Sequence, residues 1–184
     1  MSQAIKDGKG RGFEAEVNSE QELVTRAIAE PELEHASSRG EAYIWHSAAQ
    51  DIDSTDTMLF IKNTGSTPLI LDRMDVIGSN VACTWTIHLG SDTTTPASVP
   101  SVIVAVNLNR IFSSKIPEAE ARTDETAVAD GDIVRTFHTA ATVQAPTIDL
   151  TGFILGQGHY IQINQETEST SGSVAIIGHF EDPS

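Results

Sequence analysis

About ten short β-type runs follow one another from residue 42 to residue 180, each closed by Gly, Pro, Asn or a Ser/Thr cluster after eight to twelve positions. Residues 42–46, 57–62, 69–77, 81–89 and 101–106 carry the first of these runs, and 133–138, 147–150, 152–155, 159–164 and 173–180 the rest. No long amphipathic helical pattern alternates with them, so a βαβ architecture is excluded. The spacing predicts an all-β fold, an antiparallel β-sandwich of jelly-roll-like form.

Local patterning refines this. TMLFIK (57–62) is apolar almost throughout and reads as a central strand buried on both faces. In residues 81–89, Trp85 and Ile87 point one way while Thr84, Thr86 and His88 point the other, as in a sheet with one wet face. NTGSTP (63–68) is a turn of hairpin length. Residues 107–132 read as a long surface excursion with a short helical piece at 118–122. The two tryptophans, Trp45 and Trp85, are expected in the core rather than as exposed sugar-binding platforms.

The first forty residues differ. They are polar, and five of the eleven Lys and Arg residues lie there. GKGRG (8–12) favours flexibility over packing. It reads either as a disordered tail or as an arm ordered on contact with a neighbour. Phe13, Ala15 and Val17 alternate with acids, a weak strand signal. Residues 23–28 suit a strand or a helical turn equally. The expected division is an extended N-terminal arm over 1–40 and a β-sandwich domain over 41–184.

Charge and chemistry narrow the function. A net charge of -15 argues against nucleic acid as a ligand, since a phosphate backbone must be met by clustered cations. Cys83 is the single cysteine, so an intramolecular disulfide is excluded, and it sits in an apolar run as a buried thiol. No apolar leader or spanning segment is visible, so synthesis in a reducing cytoplasm is expected, without a membrane partner. DIDSTD (51–56) lacks the Gly and distal Glu of an EF-hand loop. The six histidines have no metal-ligand spacing, although His138, His159 and His179 would meet if their strands were adjacent. There is no G-x-S-x-G elbow, and the carboxylate pairs Glu118/Glu120 and Glu166/Glu168 lie in polar stretches with nothing to desolvate them. Gly8, Gly10 and Gly12 lack the context of a phosphate loop. Neither an enzymatic activity nor a cofactor nor a metal is expected.

Three stretches together, KDGKGRGFEAEVNSEQELVTRAI, VNLNRIFSSKIPEAEARTDETAVADGD and GHYIQINQETESTSGSVAIIGHFEDPS, resemble a family of tailed-bacteriophage virion structural proteins. The resemblance covers most of the chain. It implies a capsid decoration (cement) protein on the phage capsid surface, with the major capsid protein and further copies of the same chain, often as a trimer, for partners. It brings no catalytic residues. The arm would then be the attachment element, adding a strand to a neighbour's sheet. Lys9 and Arg11 would meet acidic groups, and Phe13, Val17, Leu23 and Ile28 would supply apolar anchors. The competing expectation is a receptor- or glycan-binding module on a tail or head fibre.

Overall fold

The computed structural model describes residues 4–6, 12–14, 32–52, 57–77, 81–91, 101–112, 114–123, 131–141, 147–167 and 169–181. The chain divides into two compact units, Met1–Pro31 and Glu32–Ser184. Within the first, β1 (Ala4–Lys6) and β2 (Gly12–Glu14) pair antiparallel, with Ile5 opposite Phe13.

The second unit begins with a helix, α1 (Glu32–Ser38), followed by β3 (Ala42–His46), β4 (Gln50–Ile52), β5 (Thr57–Asn63), β6 (Leu69–Ile77) and β7 (Cys83–Ser91). Next come β8 (Ser101–Val102), β9 (Val106–Asn107), a 3-10 turn at Arg110–Phe112, and β10 (Ala119–Thr123). β11 (Asp132–Thr139), β12 (Ile148–Leu155), β13 (His159–Gln165) and β14 (Ser169–Phe180) complete it. One sheet runs β11-β7-β13-β5-β10-β8; the other runs β12-β6-β14-β3-β9, with β4 attached to β14. Removing the short additions β4, β8, β9 and β10 leaves β11-β7-β13-β5 against β12-β6-β14-β3. Successive core strands pass from one sheet to the other except at β7 and β11, which are neighbours in one sheet, and the two sheet orders together are those of a jelly roll. The expected all-β sandwich is therefore the fold, and all strand pairings among the described residues are antiparallel.

The core forms where inward-facing side chains of the two sheets meet. Trp45, Leu59, Leu71, Met74, Trp85, Ile163 and Ile176 are all fully buried there. Each such side chain contributes about 1.5–3 kcal/mol by leaving water. Both tryptophans are core residues, as expected, and Cys83 is buried beside them. β5 is buried on both faces: Leu59 and Ile61 enter the core, while Phe60 packs behind the sheet on Tyr160 with ring centroids 5.1 Å apart. At the end of β5, Asn63 fixes the turn. Its side-chain amide donates to the carbonyls of Thr67 and Leu155, each at 2.8 Å, and its Oδ1 accepts from Gly65 N–H at 3.0 Å.

Three local expectations change. Residues 118–122 are not helical; β10 occupies them, because Ala119, Ala121 and Thr123 alternate with Glu120 and Arg122 and pair with β5. The face of β7 expected to be wet is partly dry, with Thr86 and His88 buried. The sequence-based boundary at residue 40 falls inside the second unit, since α1 packs on β3 and β14 through the buried Ala36. The helix ends at Gly40, whose φ of 71° is a left-handed conformation that a side chain resists, and Glu41 N–H returns to the Ala36 carbonyl at 2.9 Å.

Candidate functional site

Of the arm residues expected to bind a partner, Phe13 lies in β2 opposite Ile5. Lys9, Arg11, Val17, Leu23 and Ile28 lie outside the described residues. Of the expected strand signal Phe13, Ala15 and Val17, Phe13 lies in β2, while Ala15 and Val17 lie outside the described residues.

A second surface was not anticipated. β8 sits at the edge of one sheet and pairs with β10, whereas β9 sits at the edge of the other and pairs with β3. Residues 101–107 therefore cross from sheet to sheet and close one side of the sandwich. Ile103 N–H donates to the Ala121 carbonyl and Leu108 N–H to the Ala42 carbonyl, both at 2.9 Å. Successive side chains of an extended chain point to opposite sides. Ile103 and Ala105 accordingly pack on the core, while Val102, Val104 and Val106 are exposed.

Asparagines hold this crossing in place. Asn107 donates to the Gly40 carbonyl at 2.8 Å and accepts from Asn109 N–H at 2.9 Å. Asn109 in turn donates to the Ser37 carbonyl at 3.0 Å and accepts from Ile111 N–H at 3.0 Å. Nearby, the Tyr43 hydroxyl donates to the Gly40 carbonyl at 3.2 Å. Burial pushes the Tyr43 phenol above its usual range, a hydrogen bond with Asn107 opposes this, and the Glu41 carboxylate adds to it.

Lys115, Ile116 and Pro117 form a ridge between two open concavities. One, of about 240 Å³, is lined by Glu41, Tyr43, Thr67 and Phe180; the other, of about 500 Å³, by Val102, Val104, Ala105, Ala119 and Arg122. Lys115 Nζ lies 3.3 Å from Glu41, which Arg39 also meets at 2.8 Å. Exposed apolar ridges flanked by grooves suit contact with another protein surface rather than chemistry on a small molecule. The sequence shows this surface only as the apolar, β-type run SVIVAV, and such a run does not tell which strand ends a sheet.

A polar chain lies behind β7. The Thr86 hydroxyl donates to Glu166 Oε1 at 2.5 Å and lies 2.9 Å from His88 Nε2, while His88 Nδ1 is 3.3 Å from the Gly131 carbonyl. The Thr86–His88 distance is that of a nucleophile and its base. Thr86, however, is buried and its proton is committed to Glu166, so the chain serves to tie β7 to the end of β13.

The three late histidines do not converge. His138 on β11 lies 3.1 Å from the Thr84 hydroxyl, and His159 starts β13 beside the Gln157 carbonyl. His179 is in the other sheet, on β14, 2.9 Å from Asp72. Among the described residues no three His, Cys, Asp or Glu side chains are grouped to hold a metal. In the acidic run 51–56, Asp51 belongs to β4, and residues 53–56 lie outside the described residues. No helix of the described residues is long and apolar enough to cross a membrane. Comparison with family models, with curated proteins and with solved structures finds no match to this chain.

Proposed function

We propose that this chain is a structural protein of a tailed-phage virion, a capsid decoration protein whose N-terminal segment attaches it to the shell. The observation that carries the reading is the division of the chain: Met1–Pro31 makes a compact unit separate from the jelly-roll body and contains its own strand pair. That segment also has the basic cluster Lys6, Lys9 and Arg11 on an otherwise acidic chain. A local basic cluster on an acidic chain supports an attachment element, and repetition over a shell multiplies modest contacts by avidity. The partners in this reading are the major capsid protein and neighbouring copies of the chain.

The glycan-binding alternative draws less support. Both tryptophans and both tyrosines are buried, so they offer no aromatic platform for a sugar.

Deleting residues 1–31 is expected to leave the β circular-dichroism signature intact and to abolish sedimentation with virions lacking their own copies. The full-length double variant Lys9→Glu/Arg11→Glu is expected to weaken that binding at least about tenfold. Full occupancy by both variants would overturn the assignment of attachment to this segment.

A further inference from the structure

A buried histidine on β7 makes more contacts than a neutral ring can satisfy. His88 is 3% exposed, with Nε2 2.9 Å from the Thr86 hydroxyl oxygen and Nδ1 3.3 Å from the Gly131 carbonyl. A carbonyl only accepts, so Nδ1 carries a hydrogen. Glu166 is solvent-exposed and, as a carboxylate, also only accepts. The Thr86 proton therefore lies on its 2.5 Å bond to Glu166 Oε1. Thr86 Oγ is left with lone pairs alone for His88, so Nε2 carries a hydrogen as well. Either neutral tautomer would set a ring lone pair against an oxygen lone pair, Nδ1 against Gly131 or Nε2 against Thr86. In a site this buried, solvent does not relieve such a contact.

The neighbouring strands place uncharged side chains beside the ring. Opposite His88 stand Gln162 on β13 and Ile133 on β11. The titratable and charged groups of those two strands are His159 and Tyr160 at the far end of β13, and Asp132, Arg135 and His138 on β11. His138 lies against Thr84 rather than His88, and Asp132 and Arg135 are exposed. On β5, one strand beyond β13, Lys62 lies opposite Tyr160. The carboxylate that a hydrogen bond links to this ring is thus Glu166, through Thr86. Gly131 reaches the ring because it has no side chain: a Cβ there would collide with the Leu89 carbonyl oxygen of β7.

We infer that His88 is held as an imidazolium at neutral pH, and that its second ring proton closes a clasp of Glu166, Thr86, His88 and Gly131. The clasp joins the end of β13 to β7, and β7 to the entry of β11, a sheet edge that pairs only with β7 among the described residues. Losing one ring proton removes one of its bonds. The Gly131 contact is the longest of the three, so the entry to β11 is where the clasp opens. The stability it contributes is fully present below about pH 6.5, where an imidazole of the unfolded chain is also charged. That stability is lost as the pH rises and the folded ring gives up its second proton. The inference holds or fails independently of the virion reading, since it concerns the purified chain alone.

Nitrogen NMR on the isotope-labelled full chain tests it, with the His88 ring assigned through bonds from its backbone. At about pH 7.5, where an ordinary imidazole is roughly one-tenth charged, both His88 ring nitrogens are expected to be protonated. Glu166→Gln is expected to reverse this. The new amide donates to Thr86, Thr86 turns its own proton to Nε2, and His88 becomes neutral with a hydrogen on Nδ1 alone. Position 166 is exposed, so folding is not expected to suffer. Hydrogen exchange then reads the clasp at the amides of Asp132 and Ile133, which lie opposite Leu89 and His88. From about pH 6.5 to 8.5 their opening, corrected for the intrinsic exchange rate, is expected to rise at least about tenfold in wild type and to stay level in Glu166→Gln. A neutral His88 in wild type at the first pH would overturn the proposal. A doubly protonated His88 in both proteins would overturn the link through Glu166, and wild-type opening that ignores pH would refute the clasp.

Discussion

Replacing Trp85 with alanine is expected to remove about 3–5 kcal/mol of stability, the range for truncating a large buried aromatic side chain. The magnitude follows from the position. Trp85 is fully buried near the start of β7, between β11 and β13. Its indole stacks on Phe137 with centroids 6.2 Å apart and planes 5° from parallel. Its Nε1–H donates to the Thr139 hydroxyl at 2.9 Å, so truncation removes a polar contact along with the packing. Since a domain has about 5–15 kcal/mol in total, the variant should be close to unfolding. In urea, with a slope of roughly 1–3 kcal/mol per molar, the midpoint should fall by about 2 M. Trp85→Phe should lie between the variant and wild type, because it keeps an aromatic ring but not the donor. A midpoint unchanged by Trp85→Ala would mean that the core is not organised around β7.

Gly178→Ala is expected to cost about 2–4 kcal/mol, although it adds a single methyl group. Gly178 lies near the end of β14, flanked by Leu71 of β6 and Tyr43 of β3. A Cβ there would stand 2.6 Å from the Ile70 carbonyl oxygen, a backbone atom that cannot withdraw without opening the β6–β14 ladder. The irregularity in that ladder falls between Ile177 and Gly178, where the strands already approach unevenly. Gly152 makes the control. It adopts a φ of 95° but has open space around its missing Cβ, so Gly152→Ala should cost only about 1 kcal/mol of backbone strain. Thermal melts of the two variants should therefore separate clearly. Equal melting temperatures would refute the steric account of Gly178.

The fold was legible where a strand's environment is simple. β5 is continuous in apolar residues because neighbours cover both its faces, and its sequence says so directly. Trp85 and Ile87 alternate with polar residues and do face the core. The other face of β7 was harder to read, because Thr86 and His88 are buried through hydrogen bonds rather than through apolar character. β10 resembles a helix by composition, with Ala, Glu and Arg, but pairing with β5 and β8 overrides that propensity. Strand order was not legible, since nothing in a short run names its partner. For the same reason the exposed valines of 102–106 read as an ordinary strand. Whether they face a core or solvent depends on β8 and β9 ending their sheets, which is a property of the whole topology. Of the candidate arm residues, Phe13 falls on β2, where Ala4–Lys6 supplies its partner strand from beyond the GKGRG segment.

As a decoration protein, the proposed role, this chain would be a repeated structural part of a virion. Quantitative mass spectrometry of purified virions, scaled to the major capsid protein, counts its copies. On the order of hundreds of copies per particle are expected, as shell-wide avidity requires. About a dozen copies or fewer, or none, would contradict it.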